Sequence, residues 1–81
     1  MKESYKHFAA KLKSLRQEKG FSQEQLSRHI KISRPSIGAY EEGRSVPDIE
    51  KLIALADYFG TSVDELIRQP KKDISEFNPI N

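Results

Sequence analysis

A short pattern that occurs twice constrains this chain more than any other feature. In Phe21-Ser22-Gln23-Glu24-Gln25-Leu26 a serine precedes a helix and a glutamine follows three positions later. The Ser22 hydroxyl can then accept from the Gln25 N–H while the Gln25 amide reaches back to the Ser22 N–H, and Phe21 and Leu26 occupy the two positions of a hydrophobic staple. Ile32-Ser33-Arg34-Pro35-Ser36-Ile37 repeats the serine cap and the staple. Pro35 falls in the first turn, where a missing N–H does no harm. Proline also disfavours helical geometry at Arg34, so the start can slip to Pro35. Two short capped helices thus follow one another across a turn of about three to four residues. Helices joined so tightly cross steeply, and the second stands proud of the domain.

The rest of the chain supplies a frame for this pair. Tyr5, Phe8, Leu12 and Leu15 fall at helical spacing over residues 5–19, with Gly20 placed to close the helix. The second helix runs to about Ile30, and the third from Ser33 to about Glu42 with Gly43 as its C-cap. Asp48 caps a fourth, whose Ile49, Leu52, Ile53, Ala56 and Phe59 form a wide apolar stripe ending at Gly60. Ser62-Val63-Asp64-Glu65 is a further capping box and opens a short fifth helix through Leu66 and Ile67. Pro70 ends regular helix. The expected class is all-α: one five-helix domain over residues 5–69, followed by a short irregular tail, 70–81, carrying Ile74, Phe77 and Ile80.

Composition removes several functions. At 81 residues there is room for one core. Cysteine is absent, so disulfides and thiolate zinc sites are not expected, and neither His7 nor His29 has a partner at ligand spacing. We expect no metal and no cofactor. No apolar run reaches membrane-spanning length and no signal-type apolar segment opens the chain, so a cytoplasmic protein with no membrane partner is expected. The five short helices offer no glycine-rich phosphate loop and no nucleophile–base arrangement, which argues against an enzyme. Charge is lopsided: residues 1–44 carry a net +5 and residues 45–81 a net −3, giving the overall +2. A basic half suits a polyanion, although charge alone fits an ordinary solvated surface equally well.

Along the third helix, Ile37 and Tyr40 are spaced to face inward with Ile32. Arg34, Pro35, Ser36, Gly38 and Ala39 then lie on or near the outer face. Small side chains there permit close approach to base edges and thymine methyls, and Arg34 is able to grip guanine in two places. A mid-helix Gly38 on an exposed face costs about 1 kcal/mol relative to alanine, which suggests a steric reason for it.

The segment Phe8–Ile67, about three quarters of the chain, resembles the phage repressor and Cro helix-turn-helix family, also called the xenobiotic-response-element (XRE) family. The matching residues are Leu15-Arg16, Phe21-Ser22-Gln23-Glu24-Gln25-Leu26, Ser36-Ile37-Gly38-Ala39-Tyr40-Glu41-Glu42-Gly43-Arg44, Pro47-Asp48-Ile49 and Phe59-Gly60-Thr61-Ser62-Val63-Asp64-Glu65-Leu66. The ordered set is specific where no single motif is. The resemblance implies a lambda-repressor-like fold and roles for particular residues. Gln23 matches a phosphate-binding glutamine at a helix N-terminus. Arg34, Pro35, Ser36, Gly38 and Ala39 match base-facing positions, and Arg44 matches a backbone-contacting residue. Arg16 and Glu41 match a structural ion pair. Lys31 departs from the family, which commonly has glycine in the turn. A left-handed Lys31 would be strained by about 1–2 kcal/mol, partly compensated by its charge near phosphates. Ser27 stands where alanine is frequent, a minor change.

These readings lead to a sequence-specific regulator, expected to act as a repressor, that binds double-stranded DNA as a homodimer with helix 3 in the major groove. Helix 5, with or without the tail, is the expected dimer surface. The alternative is a protein-interaction module, an antitoxin bound to a toxin or a bridging factor, in which the acidic half carries the function.

Overall fold

The computed structural model describes residues 3–68. Five helices make up its regular structure: α1 (Glu3–Glu18), α2 (Gln23–Ile30), α3 (Arg34–Glu41), α4 (Ile49–Phe59) and α5 (Val63–Ile67). No strand occurs among the described residues. The expected tail, 70–81, lies outside them.

Four of the five helices start where a side chain satisfies the backbone. Ser22 and Ser62 each close a complete capping box, with Gln25 and Glu65 returning the bond, while Ser33 and Asp48 accept from the N–H groups of Ser36 and Lys51. A serine or aspartate cap contributes about 1 kcal/mol, a sizeable share for elements as short as five and eight residues. The ends differ in detail from the sequence expectation. α1 begins two residues earlier, and α3 closes on Glu42, with Gly43 following at φ 77°.

Burial of the apolar faces joins the helices. α1 packs on α3 and α5, α2 on α3 and α4, and α4 on α5. The centre holds Phe8, Leu12, Leu26, Ile32, Ile37, Tyr40, Leu55, Ala56 and Leu66. Ile32 and Ile37, the staple around Ser33, are both buried, which fixes the angle at which α3 leaves the turn. Phe8 meets Tyr40 edge-on with ring centroids 6.0 Å apart, tying α1 to the inner side of α3.

α4 corrects the sequence reading. The stripe expected to be its buried face includes Ile49 and Ile53, which are 61% and 48% exposed. Leu55, absent from that stripe, is fully buried beside Ala56. Among the described residues no helix is laid over Ile49 and Ile53 in the first turns of α4, so the inward face is set further along, where α2 and α5 pack. Hydrophobic periodicity identified the helix but not the side that is covered.

Candidate nucleic-acid interface

Arg16, near the end of α1, is nearly buried, and its guanidinium spends its donors on three acceptors. Nε donates to Glu41 Oε2 at 2.6 Å, Nη2 to Glu41 Oε1 at 2.9 Å, and Nη1 to the Phe21 carbonyl at 2.7 Å. The Glu41 side chain is only 4% exposed. This is the bidentate fork that favours arginine over lysine. The hydrogen bond to Glu41 pushes the guanidinium pKa further up, against the opposing effect of burial. One clamp therefore links α1, the start of the helix pair and the last turn of α3. Removing one partner of such a pair costs about 3–5 kcal/mol, because the other charge stays buried.

Gln23, the first residue of α2, joins the same clamp. Its Nε2 donates to Glu41 Oε1 at 3.0 Å, an oxygen it shares with Arg16. Nothing in the sequence spacing signals this bond, since the two residues stand eighteen apart. The amide is held at the helix N-terminus, where unpaired N–H groups and the positive end of the helix dipole favour an anion.

The outer face of α3 is more varied than its sequence suggests. Arg34 and Pro35 are exposed, and Ser36 and Ala39 are half-buried. Ser36 is engaged at the cap: the Ser33 hydroxyl donates to the Ser36 hydroxyl at 2.8 Å. Gly38, expected on an exposed face, is buried instead. A Cβ built there would lie 3.6 Å from Gln23 Oε1 and 4.0 Å from Arg34 Nη1. With no side chain of its own, the glycine leaves a hollow over which these two long polar side chains fold. The cover consists of two long side chains, of which Gln23 is tied to Glu41. It also shows that the α2 N-terminus and the outer face of α3 form one continuous surface.

The other cationic candidates flank this surface. Lys31, exposed in the turn, takes φ 60° and ψ 38°, the left-handed conformation that glycine adopts more cheaply, and donates its N–H to the Ser27 carbonyl. Arg44 is exposed and pairs with Glu42 at 2.7 Å. Arg28 is engaged with Glu24 at 3.1 Å. His29 has a use that sequence reasoning missed: it stacks on Phe21 with centroids 4.6 Å apart and approaches Tyr58. No group of three or more His, Cys, Asp or Glu side chains is arranged to hold a metal among the described residues. No helix of the described residues is long and apolar enough to cross a membrane.

Comparison with known proteins bears on what such a surface is for. Residues 12–66 match the helix-turn-helix family. The HTH-type transcriptional activator BcrR of Enterococcus faecalis is 37% identical over 60 residues, covering 74% of this chain and 29% of that protein. The cryptic phage CTXphi transcriptional repressor RstR of Vibrio cholerae is 30% identical over 69 residues, 85% of this chain and 62% of the repressor. The prophage-derived HTH-type regulator YonR of Bacillus subtilis is 36% identical over 61 residues, 75% of this chain and 56% of that protein. The chain thus spans less than two thirds of the length of each of these relatives. A solved transcriptional regulator from Listeria innocua superimposes with a TM-score of 0.69 at 34% identity, over 90% of this chain and 71% of that one.

Proposed function

We propose that this chain, which belongs to the helix-turn-helix family, regulates transcription by binding double-stranded DNA, with α3 in the major groove and α2 across the phosphates. The observation that carries the proposal is that Gln23 and Arg34 both come close to Gly38. It puts an anion-attracting helix N-terminus beside the exposed start of a second helix, and the Arg16–Glu41 clamp holds the two rigidly. Rigid support matters, because a side chain reads a base edge only if its helix is held in register with the backbone contacts.

In this reading Arg34 reads guanine, and Pro35, Ser36, Gly38 and Ala39 lie against neighbouring base edges and methyls. Gln23, Lys31 and Arg44 contact phosphates. The chain acts as a homodimer on half-sites about one helical turn apart, since one domain reaches too few bases for a specific site. Repression follows if the site overlaps a promoter, and one relative is named a repressor and another an activator. The names of these relatives favour DNA over a toxin as the partner. The function is binding rather than catalysis, and it is exercised in the cytoplasm.

The test is selection of preferred duplexes from a random pool with the unaltered chain, Arg34→Ala and Gln23→Ala in parallel. Arg34→Ala should lose its preference at one position per half-site, at a cost of about 1–3 kcal/mol, while Gln23→Ala should weaken all sequences alike. An Arg34→Ala protein with the same preferred sequence and the same affinity would refute the assignment of readout.

A further inference from the structure

On a different part of the molecule, Tyr5 and Phe8 of α1, Val46 of the α3–α4 loop, Leu52 of α4 and Ile67 of α5 line an apolar groove of about 220 Å³. The apolar surface continues past the groove. Ile49, one turn before Leu52 along α4, and Ile53, which directly follows it, are exposed, as Val46 and Ile67 partly are. Large exposed aliphatic side chains gathered in one place are unusual on a small soluble domain and mark a surface that something covers. The groove is smaller than the roughly 300–1,000 Å³ of small-molecule pockets, and suits one or two side chains better than a ligand.

We infer that the occupant is this chain's own C-terminal segment, Ile74–Ile80. Ile67 is both the last residue of α5 and part of the groove wall, and the chain leaves it through Arg68 in extended geometry, φ −82° and ψ 125°. The continuation therefore starts at the rim. Ile74, Phe77 and Ile80 are the only large apolar residues beyond that point, and they recur every third position among polar ones. The stretch from Ile67 to Ile74 can span up to about 23 Å, enough to turn back over the groove and reach Ile49 and Ile53. A tether this short gives the segment an effective concentration in the millimolar range, which favours the same chain over a second copy. Phe77 fills the groove, and Ile74 and Ile80 cover the neighbouring isoleucines. This inference is independent of the DNA reading, and its test uses no DNA.

The experiment is nuclear Overhauser spectroscopy on the full 81-residue chain with labelled methyl groups, repeated on a mixture of labelled and unlabelled copies. Contacts are expected from the Phe77 ring to the Val46, Leu52 and Ile67 methyls within one copy. Phe77→Ser should shift those methyl resonances and lower Tm by about 5 °C. Val46→Ser, made at a partly exposed position outside the core, should shift the Phe77 ring signals in return. Contacts seen only between differently labelled copies would overturn the inference and make the groove an interface between chains. Absence of contacts, with methyl shifts unchanged by Phe77→Ser, would overturn it as well.

Discussion

Lys31 and Gly38 invert what the helix pair would be expected to hold. The turn needs a left-handed residue and has lysine there, with φ 60°, whereas a glycine sits mid-helix, where it costs backbone entropy. Lys31→Gly should relieve about 1–2 kcal/mol of strain. Glycine's greater freedom in the unfolded chain takes back part of this, leaving about 0.5–1 kcal/mol of stabilisation and a Tm higher by about 4 °C in a thermal melt. Gly38→Ala should also stabilise the free protein, by up to about 1 kcal/mol, since the added methyl meets Gln23 only at ordinary contact distance. On DNA the same methyl would thicken the face that approaches the bases. The variant should therefore melt higher and bind its site more weakly; a melt and a titration together check this, and unchanged affinity would remove Gly38 from the interface. Both residues were visible in the sequence. That Gly38 is covered was not, because the cover comes from Gln23 and Arg34, whose long side chains leave no trace in a periodic pattern.

At the scale of the element, the caps carry a pH dependence. Asp48 accepts the Lys51 N–H at 2.9 Å, and this backbone bond holds its carboxyl below the usual aspartate range. Glu65 is likewise held low, first by the Thr61 hydroxyl and then by the Ser62 N–H. Each carboxyl is more acidic folded than unfolded, so each favours the folded state at pH values above its unfolded pKa of about 4. That contribution is lost as pH falls through the lower folded value. The domain should lose stability below about pH 4, with α4 and α5 fraying first. Asp48→Asn should flatten that acid limb in urea titrations between pH 5 and 2.5, and an unchanged limb would show that the cap does not contribute. Helix starts were the most legible feature of the sequence, because a cap is local chemistry within four residues. The covered side of α4 was not legible, because Ile49 and Ile53 satisfy a helical stripe as well as Leu55 and Ala56 do. Packing partners, not periodicity, decide which is buried.

Across the whole molecule, the net +5 of residues 1–44 and the net −3 of residues 45–81 should orient the domain on a polyanion. Lys31 and Arg44 are the two cations of each copy assigned to phosphate. The Arg44–Glu42 pair is exposed on both sides and holds Arg44 only weakly, so the arginine can exchange partners. Two copies would neutralise about four phosphates, and log K should fall against log salt with a slope near −4. Arg44→Gln should reduce the slope by about 2 for the dimer while leaving sequence preference intact. A slope that does not move in salt titrations of the variant would place Arg44 away from the backbone.

The sequence by itself determined the number of helices, the starts of α2 to α5 and the short turn between α2 and α3, since caps, staples and breakers act among near neighbours in the chain. The resemblance to a known family pointed to Arg16 and Glu41, which stand twenty-five residues apart. Only the tertiary structure decided that Gln23 shares Glu41 with Arg16, that Gly38 lies beneath two polar side chains, that His29 stacks on Phe21, and that Ile49 and Ile53 face outward. Each of these depends on where a side chain from another helix comes to rest, and that position is set by the packing of the whole core.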